Sequence, residues 1–184
     1  ETDYIANSER LFRRAIAKLI YPEARQLIEA HRAAGHSIAI ISSATPYQVL
    51  PAAKDLGIEH VYATDLEVED GQFTGGIVQP TCFGIGKVHA AERFMAQQGG
   101  DLENCFFYSD SIDDIELLET AGRPVVLNGS RELKKTAREA GWPMADFSSR
   151  GNATGSQVVR SLAATGSLVG SFMMGLPLYA LSGS

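Results

Sequence analysis

The sequence predicts an α/β protein built on a doubly wound, mostly parallel sheet, and three observations carry that expectation. Two short uninterrupted apolar runs, Ser37-Ile-Ala-Ile-Ile41 and Cys105-Phe-Phe-Tyr108, have the composition of strands buried on both faces. Amphipathic stretches with helical spacing alternate with such runs, as when each parallel strand is followed by a crossover helix. Polar residues gather directly after the apolar runs, at Ser42-Ser43 and at Ser109-Asp-Ser-Ile-Asp-Asp114. That is the carboxyl edge of the sheet, where parallel sheets bind their ligands.

Each element has its own justification. Residues 8–20 read as a helix capped by Ser8, with Leu11, Phe12, Ala15, Ile16, Leu19 and Ile20 in one apolar stripe. Pro22 suits the first turn of a second helix, and Gly35 ends it. The first buried strand follows at 37–41. Thr45-Pro46 opens a helix that runs to Leu56-Gly57, and a brief strand lies near His60–Ala63. Leu66–Val68 and Gln72–Val78 flank Glu69-Asp70-Gly71, the signal of a hairpin. Lys87 to Gln98 reads as helix, Cys105–Tyr108 as strand, Ile112–Thr120 as helix, Pro124–Leu127 as strand and Glu132–Ala140 as helix. No internal repeat is visible.

The chain has 184 residues, enough for one sizeable α/β domain and an appendage. A net charge of −6 excludes nucleic acid as the default partner, since no basic surplus is present to neutralise phosphates. The two cysteines, Cys82 and Cys105, lack metal-binding spacing and fit a reducing compartment; Cys105, in an apolar run, is expected to be a buried small hydrophobe. After Phe147 the composition changes. Residues 148–160 are linker-like, and 161–184 carry no charge over about the length that spans a bilayer. Three readings of that segment stay open: a membrane-embedded or interfacial stretch, a helix buried against a further domain, or a disordered tail.

Candidate chemistry sits on three loops. Asp110 ends a strand and Asp114 follows at i+4, so the two carboxylates are expected to face each other as a seat for a hard divalent cation such as Mg2+. The bland reading is a helix N-terminus that favours acids. Ser42 and Ser43, at a strand end beside a helix N-terminus, are placed to hydrogen-bond a phosphate; the alternative role, a helix cap, is already filled by Thr45. Lys87 follows the Gly84-Ile-Gly86 turn and opens a helix, where a cation is electrostatically misplaced. Either an anion compensates it or it is a solvated lysine.

The order strand–Ser42, glycine turn–Lys87, strand–Asp110-x-x-x-Asp114 resembles motifs II, III and IV of the haloacid dehalogenase (HAD) superfamily. Over residues 1–147 it is most similar to subclass IB, the phosphoserine phosphatase-like hydrolases with a Rossmann-like core. The strings Ile-Ser-Ser-Ala-Thr-Pro-Tyr-Gln48, Leu66-Glu-Val-Glu-Asp-Gly71 and Tyr108-Ser-Asp-Ser111 resemble a narrower group, in which such a domain precedes a 1-acylglycerol-3-phosphate acyltransferase domain. The resemblance implies a remnant of a helical cap at 1–22, a core at 23–147, a linker at 148–160 and, at 161–184, a segment that meets the membrane or leads into a further domain. It also implies a phosphomonoesterase of phospholipid synthesis, at the cytoplasmic face of the membrane or in the cytoplasm. In such a mechanism an aspartate nucleophile forms an aspartyl-phosphate, Ser42 and Lys87 bind the phosphoryl oxygens, Asp110 holds Mg2+, and Asp114 supports the metal or Lys87.

One departure is serious. The family's first motif, a central strand ending in Asp-x-Asp, is found nowhere in this sequence. The expectation is therefore that the natural polypeptide begins earlier, that these residues alone do not turn over substrate, and that the neighbours of the missing strand are left unpaired. The alternative is a regulatory or structural module of a protein whose main activity is acyl transfer. His60-Val-Tyr-Ala-Thr-Asp65 spells the His-x4-Asp of glycerolipid acyltransferases, but it lies inside the HAD pattern and is set aside. Arg10, Arg13 and Arg14 read as a solvated helix face rather than an anion site. Small phosphomonoesters and lipid phosphates both remain open as substrates, and unpaired sheet edges favour a homo-oligomer.

Overall fold

The computed structural model describes residues 2–147 and the backbone of residues 171–174. In chain order the elements are α1 (Thr2–Leu11), α2 (Pro22–Ala33), β1 (Ser37–Ile41), α3 (Pro46–Leu56), β2 (His60–Tyr62), the hairpin β3 (Leu66–Glu69) and β4 (Gln72–Ile77), α4 (Ile85–Gln97), β5 (Cys105–Ser109), α5 (Ile115–Thr120), β6 (Arg123–Leu127), α6 (Arg131–Ala140), β7 (Met144–Ala145) and β8 (Ser171–Met174). The main sheet has the order β2-β1-β8-β5-β6-β7, and every pairing in it is parallel. The chain is thus an α/β fold of the doubly wound type, as its sequence predicts.

Strand parity explains the two layers. Ile38 and Ile40 of β1 join Phe106 and Tyr108 of β5 in a core covered by Leu27 and Ile28 of α2 and Val49 and Ala53 of α3. The alternate residues Ala39, Ile41, Cys105 and Phe107 face the other way, onto Phe94 and Met95 of α4, Leu117 and Leu118 of α5 and Leu133 of α6. A period of two along strands buried on both faces requires apolar residues at every position, which is why these runs read as continuous. Helix ends are fixed locally. The Thr45 N–H donates to Gln48 Oε1 (3.1 Å), Ser130 Oγ accepts from the Leu133 N–H (3.2 Å), and Gly57 and Gly141 close α3 and α6 with φ of 64° and 72°.

Several expectations need correction. The first helix starts at Thr2 rather than at a Ser8 cap, and after Leu11 it passes into a π-helical turn, Phe12–Ile16, and a 3-10 turn, Ala17–Leu19. Each change of winding alters the angular step, so positions spaced for a regular helix no longer share one side. Of the predicted stripe only Phe12 is buried, while Leu11 and Leu19 are exposed. The arginine cluster does lie on an exposed surface: Arg13 pairs loosely with Glu9 (3.7 Å) and Arg10 donates to Asn7 (2.7 Å).

The centre of the sheet also differs. β1 and β5 do not face an open slot, because β8 lies between them and pairs with both, Ser37 and Cys105 each standing opposite Ser171. Parallel pairing on two sides satisfies backbone groups that would otherwise be orphaned. Residues 171–174 thus form a strand of the sheet. The linker at 148–160 and the remainder of the uncharged segment lie outside the described residues. Among the described residues no helix is long and apolar enough to cross a membrane.

Candidate active site

Three βα units deliver their polar residues to one end of the sheet. Ser42 follows β1; its N–H donates to the Tyr62 carbonyl (2.9 Å), so the strand pairing holds it in place. Its side chain is buried and its Oγ accepts from the Ala44 N–H (3.2 Å). The hydroxyl proton is left to donate, and among the described residues it has no recorded acceptor. Ser43 is exposed, with no recorded side-chain partner there.

Lys87 is the third residue of α4 and is only 6% exposed, so it is not a solvated lysine. Its Nζ donates to Asp114 Oδ1 in a buried ion pair. The compensating anion required at the start of α4 is thus a carboxylate carried by the protein itself. The other oxygen, Oδ2, accepts from Ser109 Oγ at 2.6 Å. Asp114 ends a 3-10 turn, Ile112–Asp114, that precedes α5 and whose Ser111 side chain accepts from the Asp113 N–H (3.2 Å).

This geometry corrects the expected seat of two facing carboxylates. Both oxygens of Asp114 are engaged, by Lys87 and Ser109, which leaves Asp110 as the carboxylate of the pair that makes no ion pair among the described residues. Burial, with the nearby Asp114 charge adding to it, raises the Asp110 carboxyl to about 6, against the lowering effects of its own backbone N–H and of Lys87. The Asp110 carbonyl is tied to the next βα loop by the Ser130 N–H (3.2 Å).

As a test of Mg2+, the donor set is partial. A hard cation takes several oxygens, and a carboxylate with an upward-shifted pKa is what a cation beside it would reverse; Asp110 fits as one ligand. Among the described residues no group of three or more His, Cys, Asp or Glu side chains is placed to hold a metal. These residues alone do not complete a magnesium site.

Two contributors were not singled out from the sequence. Ser109, which the sequence shows only as part of the polar string after the apolar run and with no role of its own, is one. Cys82 is the other: it is buried, its N–H donates to Thr64 Oγ1 (3.0 Å), and burial raises its thiol pKa against the pull of Lys87 and of the Ser42 N–H. Those electrostatic neighbours mark the point where the three loops converge. His60 and Asp65, by contrast, share no hydrogen bond; the His60 ring lies beside Phe94 (5.2 Å).

The sequence matches the haloacid dehalogenase-like hydrolases over residues 3–119. The chain belongs to that family. The chain is 40% identical over 133 residues to a probable phosphatase of Mycobacterium tuberculosis, a match covering 72% of the chain and 46% of the relative. A phosphoserine phosphatase of the same organism is 35% identical over 146 residues, covering 79% of the chain and 47% of that protein. Among solved structures, a Bordetella pertussis protein of unknown function superimposes with a TM-score of 0.74 at 32% identity, over 79% of the chain and 67% of the other. The HAD chain spans about half the length of the curated relatives it matches. Its likeness to phosphoserine phosphatase-like hydrolases is therefore a likeness to phosphatases, as the order of its motifs implies.

Proposed function

We propose that this chain forms most of the catalytic core of a Mg2+-dependent phosphomonoester hydrolase. The observation that carries the reading is the buried Lys87–Asp114 pair at the carboxyl edge of the sheet, whose charges reach Asp110 and, through Cys82, the Ser42 loop. An ammonium has three N–H donors, and Asp114 takes one, so Lys87 presents positive charge to a phosphoryl group while fixed from behind. Ser42 adds a neutral donor, and Ser43, exposed at the mouth, a further hydroxyl. Asp110 would be one Mg2+ ligand; bound there, the cation would neutralise phosphoryl charge. Phosphoryl transfer depends mainly on such positioning and charge stabilisation.

The family's nucleophile is an aspartate in an Asp-x-Asp, which this sequence lacks, so these residues alone are expected to bind phosphate without turning over substrate. That same absence favours the second reading, a regulatory or structural module. The strings at 41–48, 66–71 and 108–111 and the uncharged composition of 161–184 support a place in a two-domain phospholipid-synthesis protein with an acyltransferase, membrane contact through the part of 161–184 outside β8, and a small phosphomonoester or lipid phosphate as substrate.

The test is hydrolysis of p-nitrophenyl phosphate, with and without Mg2+, by the natural protein that carries this sequence. Activity that requires Mg2+ and falls at least about 100-fold in Asp110→Asn is the expected outcome. A folded protein inactive in both forms would overturn the hydrolase and leave the module, with acyl transfer as the next assay.

A further inference from the structure

The geometry points to Ser109 as a positioning residue of this site, the node through which the Asp110 loop and the Lys87 ammonium are held in one arrangement. The inference rests on the proposed phosphate-binding role of Lys87. Ser109 is the last residue of β5 and is 2% exposed. Strand parity turns it, like Cys105 and Phe107, toward the α4 and α5 side.

Its hydroxyl has two recorded bonds of opposite sense. Oγ accepts from the Ser111 N–H (3.1 Å) and donates to Asp114 Oδ2 (2.6 Å), a length expected of a hydroxyl bonded to a carboxylate. With an acceptor site of the hydroxyl used by that amide, its proton is directed to Asp114. The result is an oriented chain from the Ser111 amide to Ser109, to Asp114, to Lys87. The Ser111 amide belongs to the peptide that joins Asp110 to Ser111. One hydroxyl therefore fixes the backbone that carries Asp110 and the carboxylate that holds Lys87.

No other side chain recorded at this carboxylate can do the same work. Without the Ser109 hydroxyl, Oδ2 of the buried Asp114 loses the one partner it has among the described residues, and a buried carboxylate with one orphaned oxygen reorients toward whatever donor it can reach. The Lys87 ammonium is the nearest, so the loss of Ser109 moves the phosphate-binding charge itself. A serine that served the fold alone would leave Lys87 where it is.

The test is a double-mutant cycle on inorganic phosphate affinity, read by calorimetry on the full chain, with Ser109→Ala, Lys87→Met and both together. Ser109→Ala is expected to weaken phosphate binding by about five- to ten-fold in the wild-type background and by less than about two-fold beside Lys87→Met, because the serine acts through the lysine. Ser109→Thr, which keeps the hydroxyl, restores most of the loss. A second readout is free of phosphate: the Lys87 ammonium resonance in 1H–15N spectra, whose hydrogen exchange should quicken in Ser109→Ala and recover in Ser109→Thr. Equal losses in both backgrounds, or an unmoved Lys87 resonance, would overturn the role of Ser109. If the wild-type chain binds no phosphate while the resonance responds as described, the hydrolase reading fails and the link from Ser109 to Lys87 stands. Should Ser109→Ala not fold, Ser109→Cys supplies the weak-donor comparison, with an intermediate shift of the resonance expected and none overturning the role.

Discussion

Lys87 and Asp114 are charges taken out of water together, with side chains 8% and 2% exposed. Such a pair contributes little net stability, since desolvation opposes the attraction, but losing one partner strands the other. Lys87→Ala is therefore expected to destabilise the fold by about 3 kcal/mol, measured by urea denaturation. The double variant Lys87→Met with Asp114→Leu should recover most of that loss. A single variant as stable as the wild type would mean that water or another cation reaches Asp114. The identities of these residues were legible in the sequence because a lysine at a helix start calls for an anion. Their division of labour was not. Spacing places Asp110 and Asp114 near each other, but the bond from Ser109, five residues before Asp114 at the end of β5, helps turn Asp114 to Lys87 rather than to a cation.

At the scale of elements, the loop into α4 sets where Lys87 stands. A Cβ on Gly86 would lie 1.9 Å from the Thr81 carbonyl oxygen, a backbone atom that cannot swing aside, and Gly84 has φ of +51°. Gly86→Ala must push the start of α4 away from Thr81, so it is expected to cost about 2 kcal/mol by overpacking and to weaken phosphate binding as well, both readable in one thermal-shift titration with phosphate. Destabilisation without loss of binding would show that α4 tolerates the shift. Elements with strong local signals were read correctly. Continuous apolar runs gave β1 and β5, and Glu69-Asp70-Gly71 gave the hairpin, whose Asp70 and Gly71 both adopt positive φ. The first helix failed because a π turn has no sequence signature of its own: the residues at 12–16 keep helical composition while the winding changes beneath them.

For the whole molecule, the fold class was legible because strand–helix alternation and right-handed crossovers leave few topologies, whereas the occupant of the central position was not. β8 comes from a segment with no strand signal beyond its apolarity, and its place between β1 and β5 is set by their unpaired backbone groups rather than by its own pattern. Global stability carries a further signature, in the α2-side layer. His31 is fully buried, its Nδ1 is 2.7 Å from His36 Nδ1 and its Nε2 is 2.9 Å from the Tyr108 hydroxyl. Burial, reinforced by His36, lowers its pKa to about 3, and His36 is lowered too. The unfolded chain, with ordinary histidines near 6.5, therefore binds more protons below that pH, and stability present above 6.5 drains away as pH falls toward 3, with a slope of up to about 1.4 kcal/mol per pH unit for each histidine. Asp110 acts in the opposite sense between 3.8 and 6, because its raised pKa lets the folded state hold the proton more tightly. Within that window Asp110 offsets part of the slope that the two histidines produce, and below it that opposition fades while His31 still contributes. Denaturant midpoints should be lower at pH 3.5 than at pH 7, with the His31 contribution extending furthest into acid. His31→Gln should flatten the lower limb while leaving the order of stability at pH 7 set by packing alone. An unchanged limb in that variant would assign the acid sensitivity to the carboxylates instead.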